Sequence, residues 1–244
     1  MKISVCIPMY NESAVIEETA RRLSQALEAD FGRRDDGEPD FEIIFADDGS
    51  SDGCADLVRC LGLPGVRVIS YTPNRGKGYA VRTAMLASRG EVSLFTDADL
   101  AYGTDVIKRF FDAFSEKPGT GVCIGSRNLS GDGYEGYTLI RRIASKIYLR
   151  LLSAVGGLKV SDSQCGCKAY SREAADRIFS RCEVDRFAFD YETLLWAKKA
   201  GIRIEEIPVK VLVHGDSKVR LLRDTFRMLR DLSKMKKRIR NSEI

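Results

Sequence analysis

Residues 91–99, Glu91-Val92-Ser93-Leu94-Phe95-Thr96-Asp97-Ala98-Asp99, read as a short, largely apolar β-strand that ends in two acids spaced by one residue. A run of this length without strict alternation is buried on both faces, as inside a parallel sheet. Four other runs have the same character: Lys2 to Ile7, Phe41 to Ala46, Val66 to Tyr71 and Gly121 to Gly125. Helical periodicity fills the intervals Glu12 to Ala29, Asp52 to Leu61, Lys77 to Ser88 and Thr104 to Phe114. Strands alternating with helices predict a doubly wound α/β fold, because each crossover helix covers one face of the sheet. The interval from Phe31 to Asp40, rich in Gly, Arg and Asp, is a polar surface loop and not a linker, since the next strand follows at once.

Ligands of such sheets collect beyond the carboxyl ends of the strands. The residues there are Pro8 to Glu12, Asp47 to Asp52, Thr72 to Gly78, Asp97 to Asp99, and Ser126-Arg127. In extended backbone the carboxylates of Asp97 and Asp99 point to one side, about 6.5 Å apart. Two converging hard oxygens suit Mg²⁺ or Mn²⁺ together with a diphosphate; the plainer alternative is an acidic turn before a helix capped by Asp99 or Thr104. The loop Asn74-Arg75-Gly76-Lys77-Gly78 opens a helix, so its N–H groups and two cations suit phosphate oxygens. Its alternative is a glycine-rich turn with solvated cations.

Composition narrows the class. The chain has 244 residues, 44% hydrophobic and 30% charged, enough for a sizeable core. Its longest apolar stretches fall far short of the ~20 residues that span a bilayer, and the first residues show no apolar region fit for a secretory signal. A cytoplasmic location is the expectation. Seven cysteines lack paired C-x-x-C spacing and read as reduced and mostly packed, and the single histidine, His214, argues against a Ser-His-Asp mechanism or a histidine metal centre. The net charge of +4 is unevenly spread. Between Ser217 and Arg240 ten basic residues face two acids, giving +8; with Glu243 counted, residues 1–216 carry −3.

The ordered motifs Cys6 to Glu12, Asp47-Asp48-Gly49-Ser50-Ser51-Asp52, Asn74 to Gly78, Asp97-Ala98-Asp99 and Gly125-Ser126-Arg127 resemble the inverting family-two glycosyltransferases of GT-A fold. Farther on, Asp162 to Tyr170, Phe187 to Glu192 and Gly215 to Lys218 resemble the branch that glycosylates polyprenyl or dolichyl phosphate, and within it the dolichyl-phosphate glucosyltransferases. The resemblance implies a Rossmann-like, mostly parallel sheet, expected over residues 1–216; the charge and periodicity of the tail predict a basic amphipathic helix within 217–244. It places Pro8, Tyr10, Glu12, Asp47, Asp48, Lys77, Asp97, Ala98 and Gln164 around a nucleoside-diphosphate sugar, with either Asp47 or Asp48 reading the base or ribose. Asp97 and Asp99 would hold Mg²⁺ or Mn²⁺ on the diphosphate, which acts as a Lewis acid at the leaving group. Asp99, Arg127 and Asp190 are the implied catalytic group. Relatives that transfer mannose often carry Gln two residues after the second Asp; Ala101 stands there, which departs from their metal shell.

The acceptor side admits two chemistries. A lipid phosphate is already nucleophilic and needs cations to hold it, whereas a sugar hydroxyl needs a carboxylate base. Arg142, Lys146 and Arg150 share one face of a helix expected over Leu139 to Val155, and the resemblance favours Arg141 or Arg142, with Lys218, as the acceptor-phosphate contacts. Asp190 is the base of the alternative, a transferase acting on a hydroxyl, and can equally bind sugar hydroxyls or cap its helix. Val219 to Ile239 carries Leu222, Phe226, Leu229, Leu232, Met235 and Ile239 on one helical face and basic residues on another, the pattern of a helix lying on an anionic membrane surface. A purely structural helix is its rival. No nucleic-acid motif accompanies the basic tail. The expectation is therefore a monotopic enzyme, peripheral on the cytoplasmic membrane face, with a homo-oligomer left open. A nucleotidyltransferase would need a glycine-rich basic loop where Pro8 to Glu12 stand, and a catalytically inactive nucleotide-binding module would not need acids at every strand end.

Overall fold

The computed structural model describes residues 1–131, 157–186, 188–212, 232 and 235–242. Seven strands form one sheet: β1 (Ile3–Met9), β2 (Phe41–Asp47), β3 (Val66–Ser70), β4 (Val92–Phe95), β5 (Thr120–Ser126), β6 (Lys168–Ser171) and β7 (Arg203–Pro208), in the order β3-β2-β1-β4-β6-β5-β7. The helices are α1 (Ile16–Phe31), α2 (Cys54–Cys60), α3 (Lys77–Ala87), α4 (Asp105–Glu116), α5 (Arg172–Phe179) and α6 (Phe189–Lys199). The five strands and four helices expected over the first half are all present, with ends moved by a few residues. The largest shift is at α1, where residues 12–15 form a turn closed on the Glu12 carbonyl before the helix begins.

Alternation along each strand splits the core into two layers. Val5 and Ile7 face α1 and α4, packing with Leu23, Leu27, Val106 and Phe110. Cys6, Ile44 and Phe95 face α3, α5 and α6, packing with Val81, Met85, Phe179, Tyr191 and Leu194. Burial on both sides explains why β1, β2, β4 and β5 read as apolar runs. Six of the seven cysteines are buried in this packing, and Cys60 is exposed.

β6 is the exception to the parallel rule. It pairs antiparallel with both β4 and β5, with Lys168 opposite Phe95 and Ile124. Because it runs backwards, its first residue, and not its last, reaches the carboxyl edge of its neighbours. The preceding segment, 162–167, is thereby delivered to the same edge as Asp97. Four residues, Lys168-Ala169-Tyr170-Ser171, are too few to declare a strand by periodicity.

The loops beyond β1 and β2 are tied together. Asn11, at φ 53°, accepts the Ser51 N–H on Oδ1 at 2.9 Å and donates its own N–H to Ser50 Oγ at 3.0 Å. Asp52 accepts the Ser13 N–H at 2.8 Å and the Cys54 N–H at 3.1 Å. Burial pushes the Asp52 carboxyl up, but these two N–H groups outweigh it and bring it down to about 2. Of the expected C-terminal helix, residues 235–241 are helical, and Leu232, Met235 and Ile239 join the layer around α6. The expected helix over Leu139 to Val155 and the rest of the tail helix, with Leu222, Phe226 and Leu229, lie outside the described residues. Among the described residues no helix is long and apolar enough to cross a membrane.

Two changes test this framework. A Cβ on Gly78 would stand 2.7 Å from the Phe189 Cβ and closer still to the Val184 carbonyl oxygen. Gly78→Ala is therefore expected to destabilise by about 1–3 kcal/mol in urea unfolding, although alanine is the better helix former. Asp52→Ala is expected to cost about 1 kcal/mol at pH 7. A carboxyl lowered on folding stabilises above its unfolded value and loses that stabilisation as pH falls through its folded one. The difference from wild type should therefore close between about pH 4 and pH 2, which unfolding curves measured across that range will show.

Candidate active site

The sheet's carboxyl edge assembles the acids. After Thr96 the chain turns sharply: Leu100 N–H donates to the Asp97 carbonyl at 3.1 Å, and Asp99 Oδ1 accepts the Ala101 N–H at 3.1 Å. Leu100 sits at φ 48°, a conformation costly for a γ-branched side chain and typical of functional turns. Lys77, the first residue of α3, forms an ion pair with Asp97. Burial pushes the Lys77 ammonium down, but Asp97 and then Asp190 outweigh it and hold it above its usual value. Among the described residues Asp99 forms no ion pair, and the pull of Lys77 on it is the weaker influence. Burial and the neighbouring Asp97 charge push its carboxyl above the usual range, with Glu12 adding to the repulsion.

Ala98 stands between the two acids. It is 6% exposed, its methyl lies in the core, and its carbonyl accepts the Thr19 hydroxyl at 2.6 Å. It anchors the acidic turn to α1.

The two acids after β2 divide their tasks. Asp48 accepts the Arg75 N–H at 2.8 Å, the Gly76 N–H at 2.8 Å and the Asn74 amide at 2.8 Å, so both its oxygens brace the 74–76 turn. Asp47 accepts the Ser50 N–H on one oxygen at 2.9 Å. Part of the 74–78 loop, expected to suit phosphate oxygens, is engaged within the protein. The amides of Arg75 and Gly76 are spent on Asp48, while the Arg75 guanidinium reaches Asp185 at 3.2 Å and lies 3.8 Å over the Tyr79 ring. The glycines serve close packing: a Cβ on Gly76, at φ 113°, would stand 2.6 Å from the Asp185 carbonyl oxygen. Lys77 is the cation that this loop turns to the acids. Pro8, Tyr10 and Glu12 follow or end β1 beside these loops, with Tyr10 42% exposed.

The far side of the site is built from charge pairs that spacing does not reveal. Arg127 grips the fully buried Asp162 through Nε at 2.7 Å and Nη2 at 2.9 Å. Gln164 follows, its N–H 3.3 Å from Asp162 Oδ1. Asp190, in the first turn of α6, is paired with the fully buried Lys168. Burial pushes the Asp190 carboxyl up against the pull of Lys168 and Lys77. Asp190 does not cap its helix, whose N-cap position is Ala188. Sequence shows Lys168 only as part of the motif from Asp162 to Tyr170, because a lysine inside an apolar strand gives no positional cue until the strand is placed. Arg141, Arg142 and Lys218 lie outside the described residues.

The residues present fit a hard divalent cation. Asp97 and Asp99 place carboxylate oxygens on one edge, and burial and Asp97 outweigh the Ala101 N–H and Lys77 at Asp99, a repulsion that a cation would relieve. Among the described residues no group of three or more His, Cys, Asp or Glu side chains could hold a metal ion. Oxygens of a bound diphosphate would supply further donors. Cys165-Gly166-Cys167 is tight against this turn: a Cβ on Gly166 would stand 2.5 Å from Asp97 Oδ2.

The chain resembles solved and curated proteins along most of its length. Its fold matches the glucosyl-3-phosphoglycerate synthase of Mycobacterium tuberculosis, crystallised with Mn²⁺, uridine diphosphate and glucosyl-3-phosphoglycerate, with a TM-score of 0.72 and 21% identity over 96% of this chain and 79% of that one. The mostly parallel sheet is thus the GT-A arrangement. It is 32% identical to the dolichyl-phosphate beta-glucosyltransferase of Saccharomyces cerevisiae over 94% of this chain and 72% of the relative. It is 31% identical to the enzyme of the same name from Dictyostelium discoideum, over 96% of this chain and 73% of the relative. The family model Glycosyl transferase family 2 matches residues 4–179, which include β2 to β6, β1 from its second residue, and Asp47, Asp48, Asp97, Asp99 and Asp162. With strand order, acidic turn and sequence all agreeing, the chain belongs to glycosyl transferase family 2 and is a glycosyltransferase.

Proposed function

We propose that the protein transfers a hexose, with inversion, from a nucleoside-diphosphate sugar of UDP-glucose or GDP-mannose type to a polyprenyl or dolichyl phosphate at the cytoplasmic membrane face. The observation that supports the donor half is the turn after β4, which sets Asp97 and Asp99 side by side at the sheet's carboxyl edge with the Lys77 ammonium paired to Asp97. A divalent cation with a diphosphate would offset the repulsion between the two carboxylates. Bound there by Asp97 and Asp99, Mg²⁺ or Mn²⁺ supplies Lewis-acid stabilisation of the departing diphosphate. Tyr10 offers an aromatic wall for the base, and Asp47, whose second oxygen has no hydrogen bond among the described residues, accepts from base or ribose. Lys77 stands beside the leaving phosphates, and Arg127, fixed by Asp162, closes that side.

The acceptor half follows from Asp190. Taking a proton from a hydroxyl would neutralise this carboxylate and leave the Lys168 ammonium buried without a counter-charge, an expensive state. A phosphate acceptor needs no base, so the proposed reaction makes no such demand. The curated relatives named dolichyl-phosphate beta-glucosyltransferases support the same choice. Arg141, Arg142 and Lys218 are the proposed acceptor contacts, and the basic C-terminal helix, with Lys237 and Arg240 exposed, is the proposed attachment to an anionic lipid surface.

Radiolabel transfer from a panel of UDP- and GDP-sugars to undecaprenyl and dolichyl phosphate tests the reading. Label is expected in the lipid phase from one donor, and to vanish with chelator. Slow donor hydrolysis with no labelled lipid would replace the phosphate acceptor by a hydroxyl compound. Asp99→Ala is expected to abolish transfer, by at least about 10²-fold in kcat, while the folded protein gains thermal stability as the repulsion with Asp97 is removed. An active variant would remove Asp99 from the metal site.

A further inference from the structure

Lys168 occupies an unusual position. It is the first residue of the antiparallel strand β6, opposite Phe95 on one side and Ile124 on the other, and it is 0% exposed. An ammonium carries three donors and no acceptor, and burial without partners would be prohibitive. Here Nζ bonds Asp190 Oδ1 and the Cys165 carbonyl, the latter at 2.6 Å, and lies 5.5 Å from the centre of the Phe95 ring. These contacts join two parts of the site that are far apart in sequence. Cys165 belongs to the loop whose Gly166 touches Asp97, and Asp190 belongs to α6. Asp190 Oδ2 has no hydrogen bond among the described residues, and Lys77, the partner of Asp97, is close enough to act on Asp190 electrostatically. The charges therefore alternate across the site: Asp97, Lys77, Asp190, Lys168.

We propose that Lys168 is a positioning residue for the donor sugar: it fixes one oxygen of Asp190 and leaves the other to accept a hydrogen bond from a hydroxyl of the transferred hexose. A short carboxylate would otherwise rotate toward Lys77 and compete with Asp97 for that cation. Held by Lys168 from beneath the sheet edge, it keeps a free oxygen on the same edge as the diphosphate site. The cysteine carbonyl bound by the same ammonium sets the height of the floor on which the sugar rests. This inference rests on the donor half of the proposed function and is independent of which acceptor is used.

Calorimetric binding of the donor that the transfer panel selects, and of its bare nucleoside diphosphate, both with Mn²⁺, tests it in wild type, Lys168→Met, Asp190→Asn and the double variant. The quantity read is the ratio of the two affinities, which cancels effects common to both ligands. Each single variant is expected to shift that ratio against the sugar nucleotide by about tenfold or more, the worth of a hydrogen bond to a charged group. The double variant, which leaves no buried charge unpaired, is expected to match Asp190→Asn within about twofold, because Lys168 acts through Asp190. A wild-type ratio in Lys168→Met, equal weakening of both ligands, or additive losses in the double variant would each overturn the assignment. Transfer by the wild type to a hydroxyl compound instead of a lipid phosphate would overturn the proposed acceptor and leave Lys168 untouched.

Discussion

Contact between the start of α3 and the segment leading into α6 governs the distribution of charge in this molecule. Gly76 and Gly78 bring the α3 backbone against Val184, Asp185 and Phe189 at distances that no β-carbon would permit. The Tyr79 N–H reaches the Asp185 carbonyl at 3.1 Å, and Arg75 and Arg82 close on the Asp185 carboxylate from the same helix. Lys77, between the two glycines, is thereby brought within electrostatic reach of Asp97, Asp99 and Asp190 together. A side chain at either glycine would separate α3 from α6, and the acids would lose the cation they share.

Around that contact the site uses its ions in two ways. Some pairs are complete within the protein: Arg127 with Asp162, Lys168 with Asp190, and Asp48 with the amides of the 74–76 turn. Each removes a charge from solvent and compensates it locally, which makes the walls of the site rigid. Asp99 is the contrast, an acid pushed toward neutrality by burial and by Asp97. In the proposed reaction a divalent cation on a diphosphate would relieve that repulsion, which folding alone leaves in place.

The tail joins this arrangement through α6. Leu232, Met235 and Ile239 are buried against the layer that contains Tyr191 and Leu195, Arg238 pairs with Glu183 and the buried Glu192, and Lys199 donates to the Ile239 carbonyl. Glu192 also accepts the Glu183 and Val184 N–H groups, at 3.1 Å and 2.9 Å. The apolar stripe that reads as amphipathic in sequence is thus spent, over its described part, on the catalytic body, and exposed Lys237 and Arg240 remain outward. An amphipathic pattern states that one face is covered; it does not state by what.

Local pattern alone determined the alternation of strands and helices, the acids at the strand ends and the doubly wound class, because burial on both faces of a parallel sheet imposes continuous apolar runs and places loops at one edge. The motif order from Cys6 to Arg127 was likewise readable, since each motif sits immediately after its strand. Tertiary structure decided what those residues touch. It turned β6 antiparallel and so paired Lys168 with Asp190, gave Asp48 to the 74–76 turn, pointed the Ala98 methyl into the core, and packed Gly76 and Gly78 against the segment before α6. These outcomes depend on pairings across 20 to more than 100 residues of chain, such as Lys168 with Asp190 and Arg75 with Asp185. Periodicity and spacing report only on neighbours a few positions apart, so no local signal could have carried them.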